Sequence, residues 1–486
     1  MRKDSLSKNF IFQLIYQIII LVIPLILSPY LTRTLGKTAL GTYTFVNSIA
    51  YYFVVIANLG ISRHGQRIIS TNSNDDKSLR RVFWSLFFLH ILISLFVTLI
   101  YIVYINFFVT EDKIIYIIHI CYVVSALFDI TWLFYGLENF KSVVIKNGII
   151  KILVCLLIFL FVHNPKDLWI YTLITTLGIL IGQTIMIPQA IKLIKPIRFE
   201  WGDVSQHIKP LLIFSISVIA STLYTVFDKT LLGILAAKED VAFYEYSNSI
   251  ISVPKAIVGV IGTVMYPRAC KMVINNDLLG QRRYIKYSFF FTSLIGIGSI
   301  FGLAGIAKSF AIIYFGKSFE ICGVVMIFLS PLVYIIGMGD IIRTQYMIPN
   351  RMDIQYNFSI ILNAIVNVLF SILLIPKIGI YGAIVGTILA EICGLSYQTY
   401  ICRSFINFRD MFEPAIPFSI IGVLMFTVIK ILTYIIPDSI LGVFIQVSIG
   451  GLTYVIFTLL YSKIFNREIW LMLKEKTMAF VSRIKN

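Results

Sequence analysis

Charge is what this chain has least of. Asp, Glu, Lys and Arg make up 13% of its 486 residues, about half the share of an ordinary soluble domain. By contrast, 58% are hydrophobic and the mean hydropathy is +0.88. That shortage excludes a soluble globular protein and leaves a polytopic membrane protein. Acid is scarcer than base, with 24 Asp and Glu against 41 Lys and Arg and a net charge of +17. In a soluble chain the excess would point to nucleic acid. Here it is what cytoplasmic loops collect under the positive-inside rule, and no nucleic-acid partner is expected. The chain also lacks a long polar segment. The longest, SRHGQRIISTNSNDDKSLRR at 62–81, is too short to fold as a catalytic domain. No GxxxxGK[ST] loop cradles nucleotide phosphates, so ATP does not drive the chain directly. There is no CxxC and no HExxH. The six cysteines fall mostly within or beside apolar segments and read as small apolar residues, and the five histidines are scattered. These absences argue against an enzyme, a metal site and a resident cofactor.

What is present is a series of apolar runs, each near the roughly 20 residues a transmembrane helix needs. Fourteen are expected, near 10–31, 40–60, 82–108, 114–136, 143–163, 168–193, 209–235, 242–267, 285–307, 320–348, 354–375, 380–402, 414–436 and 441–464. The first has neither the short apolar core nor the cleavage site of a signal peptide and reads as an uncleaved span. With the N-terminus inside, most Lys and Arg fall in the even-numbered loops and at the termini, for example Arg63, Arg67, Arg80 and Arg81 after span 2. Fourteen spans with both ends cytoplasmic therefore satisfy the charge bias. The basic tail after Asn466, with Trp470, Leu471 and Leu473, reads as an amphipathic helix on the inner surface.

Two stretches repeat. YTFVNSI at 43–49 and YEYSNSI at 244–250 share Tyr, Asn, Ser and Ile at an offset of 201 residues, which also pairs Ile56 with Ile257 and Arg67 with Arg268. Spans 1–2 thus look like spans 7–8. Six spans separate the copies, an even number, so both copies point the same way. The expected architecture is a six-helix lobe over 1–205, a second over 206–410, and two further helices with the tail over 411–486. Such parallel repeats imply alternating access around a central cavity.

Ionisable groups in hydrocarbon are costly and mark cavities or partners. Lys255 lies midway along span 8, directly after Pro254. It reads as a cation open to the cavity and to an anionic ligand, or as a Lys that pairs with an acid or snorkels. Arg33 ends span 1, where it is an interfacial anchor or a phosphate contact. Lys229 is its approximate counterpart in the second half, with Asp228 beside it, where the alternative is a local or bundle-internal ion pair. Glu245 lies inside the second repeat motif as a cavity-rim candidate, and Asn47 and Asn248 are the repeated amides. Asp129 and Lys151 are expected to pair with each other and hold the first bundle together. Asp340 and Arg343 share a helix face as a structural pair. Asn363 and Asn367 also share a face. Glu391, in span 12, is either an ion or proton site or a neutral, hydrogen-bonded acid.

DITWLFYGLENFKSVVIKN at 129–147, LGKTALGTYTFVNSIAYYF at 35–53 and NAIVNVLFSILLIPKIGIYGAIVGTILAE at 363–391 resemble segments of Wzx-type polysaccharide flippases. These belong to the polysaccharide-transporter branch of the MOP superfamily. The resemblance implies a MATE-like two-lobe fold in the bacterial inner membrane. It implies that undecaprenyl-diphosphate-linked oligosaccharide is turned from the cytoplasmic to the outer leaflet for O-antigen, capsule or related polymer. Polymerase and chain-length proteins of the same pathway would be partners, along with the lipid bilayer. It places Arg33, Asn47, Lys229, Asn248 and Lys255 near the cavity, although Lys255 matches no family motif and rests on its position alone; Glu245 stays a rim candidate from its place in the motif. Ion coupling, by proton or sodium, would fall to Glu391 or Asp129. The residues agree with an anionic ligand, because no Asp or Glu occurs between Asn9 and Gly60. A MATE-type drug or cation antiporter would want acid there. A lipid II flippase would want several Arg deep in spans 1 and 2.

Overall fold

A computed structural model describes residues 3–465, with side chains from Gln17 onward apart from six positions between 216 and 224. The expected amphipathic tail lies outside the described residues. Every regular element among the described residues is helical. Hydrocarbon offers no partner to a backbone N–H or C=O, so only a helix that bonds to itself, or a closed barrel, is stable there.

Fourteen helical segments follow the expected order. They are α1 (Lys3–Thr34), α2 (Gly36–Asn72), α3 (Asp76–Phe108), α4 (Lys113–Gly136), α5 (Phe140–Phe161), α6 (Pro165–Leu193), α7 (Ile208–Leu235), α8 (Lys238–Ile274), α9 (Leu278–Phe315), α10 (Lys317–Met347), α11 (Asp353–Ile378), α12 (Ile380–Ile401), α13 (Phe408–Ile435) and α14 (Ile440–Phe465). Thirteen are long and apolar enough to cross a membrane by length and composition. The fourteenth is α7, a helix of 28 residues. Large apolar side chains face outward along them, such as Phe107, Phe444 and Leu452, as expected where lipid rather than water is the solvent. Segment α2 is interrupted at Leu59 and Gly60, both in the left-handed region at φ 34° and 71°. A Cβ on Gly60 would also lie 2.8 Å from that of Phe214, so position 60 admits only glycine.

The helix ends keep the offset of the repeated motif. Helix α1 ends at Thr34 and α7 at Leu235, the same 201-residue offset as the motif. Residues at equivalent positions of the two copies also touch: Thr38 Oγ1 donates to Glu239 Oε1 at 2.8 Å across 201 residues.

By contact, the chain falls into two compact units. The first comprises residues up to Tyr246 together with Ala364–Gly386. The second comprises Ser247–Asn363 together with the residues from Thr387 on. The cuts fall inside α8, α11 and α12. This is a division by contact and is a different partition from the lobes over 1–205 and 206–410 expected from the repeat.

In the first unit, Trp132, Phe134, Phe83, Leu86 and Ile69 form the main core. The aromatic residues of the TWLF stretch are therefore packing groups, and Trp132 Nε1 donates to the Asp129 carbonyl at 3.0 Å. Close helix approach also shapes this unit. Ser48 of the repeat motif meets Thr230 of α7 at 3.0 Å, both buried. A Cβ on Gly41 would fall 1.9 Å from the Lys238 carbonyl oxygen. Lys238 in turn bonds to Glu111 at 2.9 Å and Asp112 at 2.7 Å, tying the α3–α4 loop to the start of α8. In the second unit, Phe289, Met338, Ile341, Leu395 and Met411 form one core, and Phe290, Phe418 and Tyr454 another.

Candidate functional site

Four of the six expected substrate-binding residues lie in the first unit. Arg33, in the last turn of α1, is exposed and donates to the Pro29 carbonyl at 2.8 Å. Asn47 is half-buried on α2, and no hydrogen bond engages its amide. Lys229 of α7 and Glu245 of α8 are brought together as an ion pair. The two charges touch without the alignment of a hydrogen bond, since Glu245 Oε2 has no hydrogen-bond donor. Lys229 thus pairs with Glu245 and not with the adjacent Asp228.

Asp228 instead organises a buried polar cluster. Its carboxylate accepts from Tyr244 Oη at 2.9 Å, Asn367 Nδ2 at 3.1 Å and Ser371 Oγ at 3.1 Å. All four residues are at most 5% exposed. Three donors on two oxygens suit an acceptor-only group taken out of water. Tyr244 opens the second repeat motif, so the repeated tyrosine has a defined task here. In the first copy Tyr43 Oη reaches Thr175 Oγ1 at 3.5 Å and packs edge-on to Tyr171.

The second unit holds the remaining two. Lys255 lies on α8 after Pro254, whose missing N–H frees the carbonyl four residues back. Its ammonium reaches toward the helix N-terminus, the direction in which helical side chains lean, and donates to Asn248 Oδ1 at 3.3 Å. No Asp or Glu among the described residues lies within ion-pair distance of it. The expected alternative of an acid-paired lysine is thereby excluded among those residues. Glu391 of α12 is 5% exposed and accepts from Asn363 Nδ2 at 3.3 Å. Asn363 and Asn367 do share a face of α11, but they serve different carboxylates. Asp340 and Arg343 form the expected pair at 3.5 Å, beside a stretch of π-helix at Arg343–Met347.

Asp129 corrects one expectation. It does not pair with Lys151. Its carboxylate accepts from Thr131 N at 3.1 Å and Thr131 Oγ1 at 2.6 Å. The chain is extended at Asp129 between a short 3-10 turn and the next helix. An Asp followed two residues on by Thr at such a break closes on its own backbone. Reading the region as one continuous span hid this.

A histidine cluster escaped the sequence altogether. His64 Nε2 and His207 Nδ1 lie 3.2 Å apart, and His207 Nε2 is 3.2 Å from Ser85 Oγ. All three residues are buried. His207 precedes α7, outside the spans, and its burial and the neighbouring His64 push its pKa down to about 4, against a smaller opposing effect of Asp203. The partners are 143 residues apart in sequence, and no local pattern signals them.

These groups form no array of nucleophile, base and oxyanion donors such as hydrolysis or group transfer needs. They are cations, amides and carboxylates held on membrane-crossing helices. The profile of a family described as "Polysaccharide biosynthesis protein" matches residues 6–273. A protein of Shigella dysenteriae with the printed name "Putative O-antigen transporter" is 24% identical over 76% of this chain and 93% of its own length. One of Escherichia coli K12 with the same name is 24% identical over 80% of this chain and 95% of its own. The fold is similar to that of the lipid II flippase MurJ in an inward closed conformation. Its TM-score is 0.77 at 17% identity, covering 94% of this chain and 99% of that one. It is also similar to an inward-facing multidrug resistance MATE family transporter of the MOP superfamily. There the TM-score is 0.58 at 12% identity, covering 80% and 95%. At these identities the two structures carry the fold alone.

Proposed function

The chain belongs to the polysaccharide biosynthesis family of Wzx-type flippases in the MOP superfamily, and on that premise we propose that it turns undecaprenyl-diphosphate-linked oligosaccharide repeat units across the bacterial inner membrane. The direction is from the cytoplasmic to the outer leaflet, with both termini in the cytoplasm, and the product feeds a surface polysaccharide such as O-antigen. The chain is a multi-pass membrane transporter and not an enzyme. The O-antigen role named for the two relatives, which match most of its length, supports the choice of polymer class.

One observation carries the substrate chemistry. Lys255 is a cation midway along a membrane helix that has an amide, and no acid, as its partner. An ammonium left in that state is stabilised by an anion that arrives and leaves, and a diphosphate is such an anion. The acid-free stretch from Phe10 to Leu59 agrees with this, since it offers an anionic lipid no repulsion. Arg33 adds a second cation with the planar fork that suits phosphate oxygens. Lys229 has its charge answered by Glu245 and takes a lesser part.

The test is surface glycan output in a host that lacks its own flippase, with the amount of protein in the membrane measured alongside. Lys255→Ala and Arg33→Ala are each expected to lower output at unchanged protein level. Full output from both variants would remove these cations from the mechanism.

A further inference from the structure

We propose that the second unit carries a binding site for an anionic phospholipid at its basic end, with one acyl chain in an apolar pocket and the phosphate at Arg403. The pocket has a volume of about 600 Å³ and lies among α10, α12 and the short helix Phe408–Phe412 that opens α13. That volume falls within the roughly 300–1,000 Å³ of ordinary ligand pockets. Tyr334, Leu395, Met411 and Phe412 supply its apolar wall.

Two polar groups in the depth of the wall are already engaged. Thr399 Oγ1 donates to the Leu395 carbonyl at 2.8 Å, and Tyr334 Oη to the Met411 carbonyl at 3.5 Å. Apart from Ser396, Tyr400 and Arg403 at the mouth, the rest of the wall is apolar, so a sugar seated deep in it would leave hydroxyls unmatched, whereas a hydrocarbon chain would not. The mouth is open, with Tyr400 59% and Ile392 44% exposed on a helix that crosses the membrane. The medium that enters it is lipid.

Arg403 makes the site selective for charge. It is exposed at the end of α12, with its guanidinium 4.4 Å from the centre of the Tyr400 ring, a cation–π contact that holds it at the rim. The acids nearby are committed elsewhere. Asp410 pairs with Arg282 at 3.9 Å and Lys286 at 3.5 Å, and Glu413 pairs with Arg409 at 3.5 Å. No carboxylate among the described residues pairs with Arg403. This is the end of the unit where Arg282, Arg283 and Lys286 gather, the cytoplasmic end by the positive-inside rule. Basic pockets between membrane helices on that side are where anionic head groups bind. A single free guanidinium matches a head group with one phosphate. The site does not depend on the substrate assigned above.

The full-length protein in a mild detergent, titrated with phosphatidylglycerol and with phosphatidylethanolamine and read by native mass spectrometry, tests this. Phosphatidylglycerol should bind in preference, and Arg403→Gln should weaken it about fivefold while leaving phosphatidylethanolamine unchanged. Arg403→Lys should keep most of the preference. Ser396→Trp, at an exposed position of the mouth, should weaken both lipids by blocking the chain. Equal binding of the two lipids to the parent protein, or an undiminished preference in Arg403→Gln, would overturn the proposal. So would displacement of phosphatidylglycerol by undecaprenyl phosphate at a lower concentration, since the pocket would then belong to the carrier. Thermal unfolding of each variant close to the parent's guards against a misfolded protein, and the Lys variant carries the test if the Gln variant fails to fold.

Discussion

The ion pair between Lys229 and Glu245 makes the sharpest demand on this structure. Both had been candidates for contact with the substrate, yet each answers the other's charge. Glu245→Gln leaves an ammonium without its acid, and Lys229→Met leaves a carboxylate without its base. Their side chains are 19% and 35% exposed, between two well-characterised limits. A fully exposed pair contributes about 0.2–1 kcal/mol, and breaking a fully buried one costs about 3–5 kcal/mol. A loss of about 1–2 kcal/mol for either single variant follows. The double variant removes both charges and should recover most of that loss, so the cycle reads a coupling of about 1–2 kcal/mol.

At roughly 2–4 °C per kcal/mol for a domain of about 250 residues, each single variant should lower the unfolding temperature by a few degrees. A thiol-reactive dye suits the measurement, because the six cysteines are free and Cys322 and Cys402 are buried until the chain opens. Glycan output in the flippase-deficient host supplies the second reading. If the pair only joins α7 to α8, the double variant restores both stability and output. Losses that simply add, with no recovery in the double variant, would refute the argument that the two charges depend on one another. Recovered stability with absent output would show that one of the charges meets the substrate after all.

Two further outcomes follow from local geometry. His207 is held at a pKa of about 4 in the folded chain, against about 6.5 when unfolded. The unfolded chain therefore takes up its proton first. Stability should be full above about pH 6.5 and fall as pH drops toward 4, by an amount of order 3 kcal/mol; a thermal-unfolding profile for His207→Gln should lose that part of the slope, and an unchanged slope would contradict it. Gly41→Ala should be damaging, because its Cβ would fall 1.9 Å from the Lys238 carbonyl oxygen, a backbone atom. Separating the two helices costs about 1–3 kcal/mol and stretches the Thr38–Glu239 bond, whereas Gly451→Ala, with nothing within 4 Å, should be neutral in the same thermal assay.

What the sequence made legible is what repeats along one helix or is set by the bilayer. The series of spans could be read, thirteen of the fourteen expected being helices long and apolar enough to cross, because hydrocarbon demands an apolar run from each. Asp340 and Arg343 could be paired because three residues bring them to one face. The limits appear wherever a partner comes from another element. Lys229 meets Glu245, His64 meets His207 and Asp228 meets Asn367 across intervals that no periodicity encodes. Asp129 failed for the opposite reason. Its partner is two residues away, but it became visible only once the chain was seen to leave the helix there.

The repeat motif shows where the two copies have parted. In the first, Ser48 bonds to Thr230 and Tyr43 lies against Tyr171, so the motif serves helix packing. In the second, Tyr244 donates to Asp228, Glu245 takes Lys229 and Asn248 accepts from Lys255. One scaffold thus carries packing contacts in one copy and a chain of charged partners in the other. Chemical asymmetry between equivalent helices is what a transporter needs if one copy is to hold an anionic group while the other frames its passage. The first copy matches Glu245 with Thr44 and has Val54 in the stretch that answers Lys255. Thr44 is buried, so a charge introduced there would be costly to desolvate, and the motif's charged partners are confined to its second copy.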